Sequence, residues 1–460
     1  MSPPTSPPTS PPTSPPTSPP TSPPTSTALA TAPAPGRVRS GRTATLCSTA
    51  SDEAATALMP AFLAGTLAAS PIALGVIEGL ASLADGAARL AGGALAENPR
   101  RRGWISAGSY AVMALLAGLV AVAASAVQVG VLRGGSAAAR GLRSPQRYAA
   151  VPERVASAGY GRAFGFERGM HHLASVGGPL LAFAVLAVAG VRSALLAAVV
   201  PGLIATVIGI VLLRRRGRAV PAVAQVPAPR LRVRAVYTGP LGRLMTGITL
   251  FELANFAAVL LVLRATKLLE SRDVPFGPAA MAVLLYLLWR LAAAASSPLC
   301  GRWVDRAGPV PVMAAGVASL LASYAGFAFA SGTVAELALC FAAAGAAGGA
   351  IEAAEHVGVA QVAPAGLRWS AFGSLSAVRS FGRMTATIGA TVVWELLGPE
   401  YGLMLATPFM VAAVVVMARG YAHGPAVRVV AAVVVTVLVA VLPVLLVLLL
   451  NASGAVRGYG

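Results

Sequence analysis

Charge is scarce in this chain. Charged residues make up 11% of 460 positions, against roughly 25% in ordinary soluble domains, so an ordinary soluble domain is excluded. Lys267 is the only lysine, and no acidic residue precedes Asp52. The three cysteines, Cys47, Cys300 and Cys340, lie far apart with no metal-ligand spacing. That argues against a disulfide framework and a thiolate metal centre and leaves them as small apolar fillers. No Gly-x-x-x-x-Gly-Lys phosphate loop, no Ser/His/Asp set in loops and no metal-ligand cluster occurs. The expectation is therefore no enzyme, no metal and no cofactor, with any active process running on an ion gradient.

What the chain has instead is hydrocarbon. Hydrophobic residues fill 56% of it, in runs that would aggregate in water but match the 20 or so residues that cross a bilayer of about 30 Å. Six spans are expected at about 45–66, 72–96, 104–124, 127–142, 161–189 and 193–213. Six more fall at about 243–266, 276–299, 309–330, 333–360, 369–396 and 401–419. A thirteenth apolar run, Val429 to Leu450, carries no charge. Residues 2–25 are six identical copies of Ser-Pro-Pro-Thr, which read as an extended, polyproline-like tail because proline lacks the amide donor.

The net charge of +19 comes almost wholly from arginine. In a soluble protein it would suggest nucleic acid, but these arginines sit in short loops between apolar spans. The loops after even-numbered spans hold Arg100–Arg102, Arg140–Arg154, Arg214–Arg243, Arg302/Arg306, Arg368 and Arg419. Those after odd-numbered spans are nearly neutral, apart from Lys267-Glu270-Arg272-Asp273. Basic loops stay in the cytoplasm, so the amino terminus is placed inside a cell membrane and the bilayer is the partner, not nucleic acid. The expected organisation is a tail (1–44), a six-helix bundle (45–213), a cytoplasmic linker (214–242), a second bundle (243–420), an extra membrane helix (425–451) and a short end (452–460).

The two halves share a loop. Gly93-Ala94-Leu95-Ala96-Glu97-Asn98-Pro99-Arg100-Arg101-Arg102 returns in degenerate form 208 positions later as Gly301-Arg302-Trp303-Val304-Asp305-Arg306-Ala307-Gly308. Duplicated bundles hinged about a central site are how many secondary transporters are built. A carboxylate at a helix end beside arginines can bond the next helix and its terminus. Gly93, Glu97, Arg101, Gly301, Asp305 and Arg306, with Asp85 and Arg89 just before the first copy, are thus candidates for a gate. The other reading is that the loop arginines only enforce orientation.

This loop resembles the signature loop of the major facilitator superfamily, G-x-L-x-D-R-x-G-R-R. Gly93, Leu95 and Arg101 match it, while Glu97, Asn98 and Arg100 depart from it. The second copy keeps Gly301, Asp305, Arg306 and Gly308. Gly75-Val76-Ile77-Glu78-Gly79, Arg140–Arg147 and Gly161–Arg168 resemble the second helix and fourth-to-fifth connector of a bacterial subgroup. Arg133 resembles the fourth-helix arginine of proton-coupled members, and Gly177-Gly178-Pro179 the glycine-proline motif of antiporters. Over about residues 45–420 the resemblance implies an all-α membrane protein of two six-helix bundles working by alternating access.

Charges inside the spans are the candidate chemistry, because each costs a few kcal/mol or more unless paired or hydrated. Helical spacing groups Glu78, Asp85 and Arg89; Arg133 and Arg140; Glu167 and His171; Arg168 and His172; Glu352, Glu355 and His356; and Arg379 and Arg383. Asp52, Glu53 and Glu252 complete the set of groups expected to line a cavity. Buried carboxylates and histidines can carry coupling protons, or the same groups can be satisfied pairs holding helices together. The functional expectation is a monomeric, proton-coupled exporter of a small organic molecule. Its alternatives are an importer or uniporter of an organic anion, and a non-transporting receptor or scaffold that docks partners on the tail.

Overall fold

In the computed structural model the described residues are 35–95, 99–143, 157–214 and 232–419, and all the regular elements among them are helical. The repeat tail before 35, Glu97, most of the central linker and the extra helix expected at 425–451 lie outside the described residues. Among the described residues six stretches are long and apolar enough to cross a membrane by length and composition alone.

The first half contains α1 (Pro35–Pro60), α2 (Pro71–Leu95), α3 (Pro99–Val122), α4 (Ala126–Arg143), α5 (Tyr160–Ala174), α6 (Gly177–Ala197) and α7 (Val199–Arg214). α1 starts ahead of the span expected from 45 and gives way after Pro60 to a π-helical segment, Ala61–Thr66. A proline, which leaves the preceding turn one donor short, accounts for that change. Inside α6 the chain breaks at Gly190, whose φ of 81° only glycine adopts without strain. The fifth span thus ends and the sixth begins there.

The second half contains α8 (Val233–Val236), α9 (Gly239–Glu252), α10 (Val259–Leu269), α11 (Pro278–Ala307), α12 (Pro309–Phe329), α13 (Val334–Val362), α14 (Arg368–Leu397), α15 (Pro399–Met404) and α16 (Ala406–Arg419). The expected seventh span leaves the helix altogether for several residues. Between α9 and α10 the chain leaves the helix over residues 253–258, in the middle of the stretch expected at 243–266. Unwound backbone at this depth needs partners from the protein itself. Ala257 N–H finds one in Thr387 Oγ1 at 2.9 Å, and Asn255 Nδ2 donates to Glu252 Oε2 at 3.1 Å.

Packing divides the helices into two groups. α1 lies against α6 and α7, α3 against α4 and α7, and α2 against α4; in the second half α12 lies on α11 and α13, and α9 on α14 and α16. The groups meet chiefly along α2 with α14 and along α5 with α11, with further contacts of α5 to α13, α6 to α11 and α1 to α10. Small residues set the closeness of these seams. A Cβ built on Gly161 would lie 2.1 Å from the Gly301 carbonyl, and one on Gly75 2.0 Å from Thr391 Oγ1. Neither site has room for a side chain: the glycine brings backbone onto backbone at Gly161–Gly301 and admits the Thr391 side chain at Gly75.

Candidate functional site

The first-half charges form one network among α1, α2 and α4. Arg133 sits at its centre, 5% exposed, and donates through Nε to Glu78 Oε1 at 2.9 Å and through Nη1 to Asp52 Oδ1 at 3.1 Å. Its Nη2 reaches Thr56 Oγ1 at 2.5 Å. One α4 heptad further along, Arg140 bonds Asp52 Oδ2, and its Nε bonds Asp85 Oδ1 at 3.0 Å. Asp85 also accepts from Arg89 Nε at 2.7 Å, the i,i+4 pair expected from spacing. Each arginine fork thus serves two carboxylates on different helices, which fixes α1, α2 and α4 in register. A small cavity opens beside it, lined by Asp52, Met113, Leu116, Arg133 and Ser136, with room for about one water molecule.

The second-half charges gather where α9 breaks. Arg379 on α14 donates to Glu355 Oε2, Nε lying 3.0 Å away, and the same Nε stands 3.4 Å from Glu252 Oε1. Glu252 and Glu355 are 2% and 0% exposed, so a single guanidinium serves two fully buried carboxylates. Arg383, one turn on, makes no ion pair among the described residues and is partly exposed.

Among the described residues three carboxylates, Glu53, Glu352 and Asp305, carry the polar contacts that join the halves. Arg290 of α11 donates from Nη2 to Glu53 Oε2 of α1 at 2.5 Å. The Tyr286 hydroxyl donates to the same oxygen at 2.9 Å. Arg168 of α5 donates from Nη1 to Glu352 Oε2 of α13 at 3.3 Å, and His172 Nε2 stands 3.4 Å from that oxygen. Asp305, at the end of α11, accepts from the backbone N–H of Gly161 (2.6 Å) and of Arg162 (3.0 Å). Those are free amides at the start of α5, where the helix dipole favours an anion. The carboxylate of the second loop copy thus binds a helix of the opposite half, not the α12 that follows it.

The expected residues therefore fall into several clusters. Asp52, Glu78, Asp85, Arg89 and Arg133 come together; so do Glu252, Glu355 and Arg379. Glu53 and Glu352 instead face the opposite half. Glu352 and Glu355, grouped by sequence, turn to different partners. His172, not the exposed His171, meets Glu352. Arg306 is exposed. Gly93 and Arg101 lie in α2 and α3, but their side chains are outside the described residues, as is Glu97. The open crevice expected to join all these charges is not seen among the described residues, because the halves are closed on each other and the groups are paired. Arg290 is the functional candidate that spacing missed. Its sequence signal is a lone arginine in an otherwise uncharged membrane run, with Tyr286 and Trp289 beside it. Among the described residues no group of three His, Cys, Asp or Glu side chains is placed to hold a metal ion.

Two helical bundles with buried arginine–carboxylate pairs, meeting over glycine seams, define a polytopic membrane protein of the transporter type. The family follows from sequence: the model of the Major Facilitator Superfamily matches residues 43–387, and the chain belongs to that family. No curated protein matches it in sequence. Among solved structures, the chain is similar to the nucleoside transporter NupG (14% identity, TM-score 0.62, covering 85% of this chain and 99% of that one). It is also similar to the human organic anion transporter MFSD10 (16%, 0.55, 84% and 100%). A bacterial homologue of the iron transporter ferroportin in an outward-facing state is a third (17%, 0.52, 84% and 100%). These likenesses are of fold. The chain is a multi-pass membrane transporter.

Proposed function

We propose that this transporter moves a small organic anion together with a proton by alternating access, in a cell membrane with its amino terminus in the cytoplasm. The observation that carries the reading is the Glu53–Arg290 pair, a carboxylate of one bundle held by an arginine of the other, both largely but not fully withdrawn from solvent. An anion that takes the arginine strands the carboxylate in a low-dielectric interior, where a lone charge is costly and a proton removes it. Substrate and proton then occupy the site together, and the bundles lose the bond that tied them. The Asp305 cap on α5 and the Arg168–Glu352 pair hold one side shut until the bundles rock.

Export in exchange for protons, the expectation from sequence, is the second reading. It is supported by the interruption between α5 and α6 at Ser175–Val176, beside Gly177-Gly178-Pro179, since a bent fifth span suits an antiporter. Proteoliposomes loaded with a pH dye separate the two. Under the first reading an inward anion gradient acidifies the lumen. Under the second, substrate loaded inside leaves as the lumen acidifies, and an inward gradient alkalinises it. Lack of any proton movement across a broad anion set would falsify coupling in either form.

A further inference from the structure

We infer that Arg290 is the docking point for the carboxylate of a planar aromatic anion, with the Trp289 and Tyr286 rings as its stacking surface and Glu53 as the resident group it displaces. The inference rests on the organic-anion reading above and adds the site and the substrate class.

Glu53 holds the site incompletely. Both of its bonds here, from Arg290 Nη2 and from the Tyr286 hydroxyl, go to the single oxygen Oε2. A guanidinium presents a fork that suits two parallel bonds to one carboxylate. A free carboxylate meeting the fork through both oxygens makes a bond that Glu53, tethered to α1, does not. The tyrosine hydroxyl accepts from Arg290 Nε at 3.1 Å and from Nη2 at 2.6 Å, which leaves the Nη1/Nη2 end of the fork to the incoming anion and keeps the hydroxyl proton free to donate to it once Glu53 leaves.

The flanking surface is aromatic. The Arg290 guanidinium carbon lies 4.9 Å from the Trp289 ring centroid and 5.2 Å from that of Tyr286, so the rings already support a planar charged group. Trp289 Nε1 is buried and has no hydrogen-bond partner among the described residues. A buried indole N–H normally finds an acceptor, and this one stands next to the arginine. Gly345 of α13 lies at the indole edge, where a Cβ would stand 2.5 Å from Trp289 Cδ1. A larger residue there would push the ring away. Rings on the arginine and an unanswered donor beside it select an anion with a flat apolar body. An organic cation is disfavoured, since the Arg290 charge beside the rings repels it.

Because Glu53 and Arg290 belong to opposite bundles, the exchange of partners frees α1 from α11. One proton from water adds to Glu53 as the anion binds, so binding takes up a proton from the medium.

The test uses the full-length protein in detergent with 2-naphthoate as probe, acetate and 2-naphthylmethylamine as comparators, and a dye reporting proton uptake. The parent protein is expected to bind 2-naphthoate at least about tenfold more tightly than acetate, the factor that about 1.4 kcal/mol of stacking supplies. The amine does not compete. Glu53→Gln retains or tightens 2-naphthoate binding and abolishes the accompanying proton uptake. Trp289→Leu weakens 2-naphthoate about tenfold and leaves acetate unchanged, while Arg290→Gln loses both. Should Arg290→Gln not fold, Arg290→Lys keeps the charge without the fork and must bind 2-naphthoate more weakly. Unchanged binding in a monodisperse Arg290 variant overturns the site, as does acetate binding as well as 2-naphthoate. Vesicles that move another anion with protons while 2-naphthoate does not bind also overturn it, and leave the transport reading standing. Binding through Arg290 with no proton-linked anion movement supports the site and sinks the transport reading.

Discussion

Arg379→Gln is the substitution whose effect the structure defines most sharply. It removes the cation shared by Glu252 and Glu355, both buried to within 2% of complete. Removing one partner of a buried ion pair costs about 3–5 kcal/mol, because the remaining charge is left without compensation. Here two carboxylates lose it at once, so the upper end of that range applies. In a chain of this length each kcal/mol is worth about 2 °C of melting temperature or less, which predicts a fall of roughly 5–10 °C. The assay is thermal unfolding in detergent at one scan rate and neutral pH. The decisive comparison is the triple variant Arg379→Gln, Glu252→Gln, Glu355→Gln, in which no charge is stranded; it is expected to recover most of the loss. A single variant melting within a degree of the parent, or a triple variant no better than the single, refutes the reasoning.

Other outcomes follow from the same geometry. Asp305→Asn keeps the shape of the cap but loses its charge, so the charge-assisted bonds to the start of α5 weaken and the seam there opens more often. The Gly161 and Arg162 amides, which the carboxylate caps, should exchange their hydrogens faster in that variant, and equal rates would count against a latch. Gly301→Ala puts a methyl 2.2 Å from the Gly161 carbonyl and should speed the same exchange by forcing α5 and α11 apart. Thr387→Val removes the acceptor of the Ala257 N–H in the unwound segment. An unanswered buried donor costs about 1–3 kcal/mol, so melting should fall by a few degrees and by less than for Arg379→Gln.

The all-helical membrane fold was legible because hydrocarbon length is a local signal. Buried charge in the first half was legible too, since Asp85–Arg89 and Arg133–Arg140 lie on single helix faces. What spacing could not reach were partners far apart in the chain. Arg290 has no charged neighbour one turn away, and its carboxylate stands at position 53 on another helix. The seventh span gave no warning of its break, because residues 253–258 include neither proline nor glycine. The break is held by Thr387 and by Gly382 of α14, against which the Glu252 backbone packs, and both come from a distant segment. His172 and His171 are adjacent, and only the rotation of α5 against α13 decides which one faces Glu352.

The glycine seams bear on turnover. Where α5 crosses α11 at Gly161, Gly165 and Gly301, two backbones touch with no side chains between them, and one body can slide over the other there without any rotamer having to change. The friction of such a surface is low, and what resists movement is concentrated in a few cross-bundle bonds at Glu53, Glu352 and Asp305. The speed of the cycle in this protein should therefore be adjustable one residue at a time, without rebuilding the surface on which it glides.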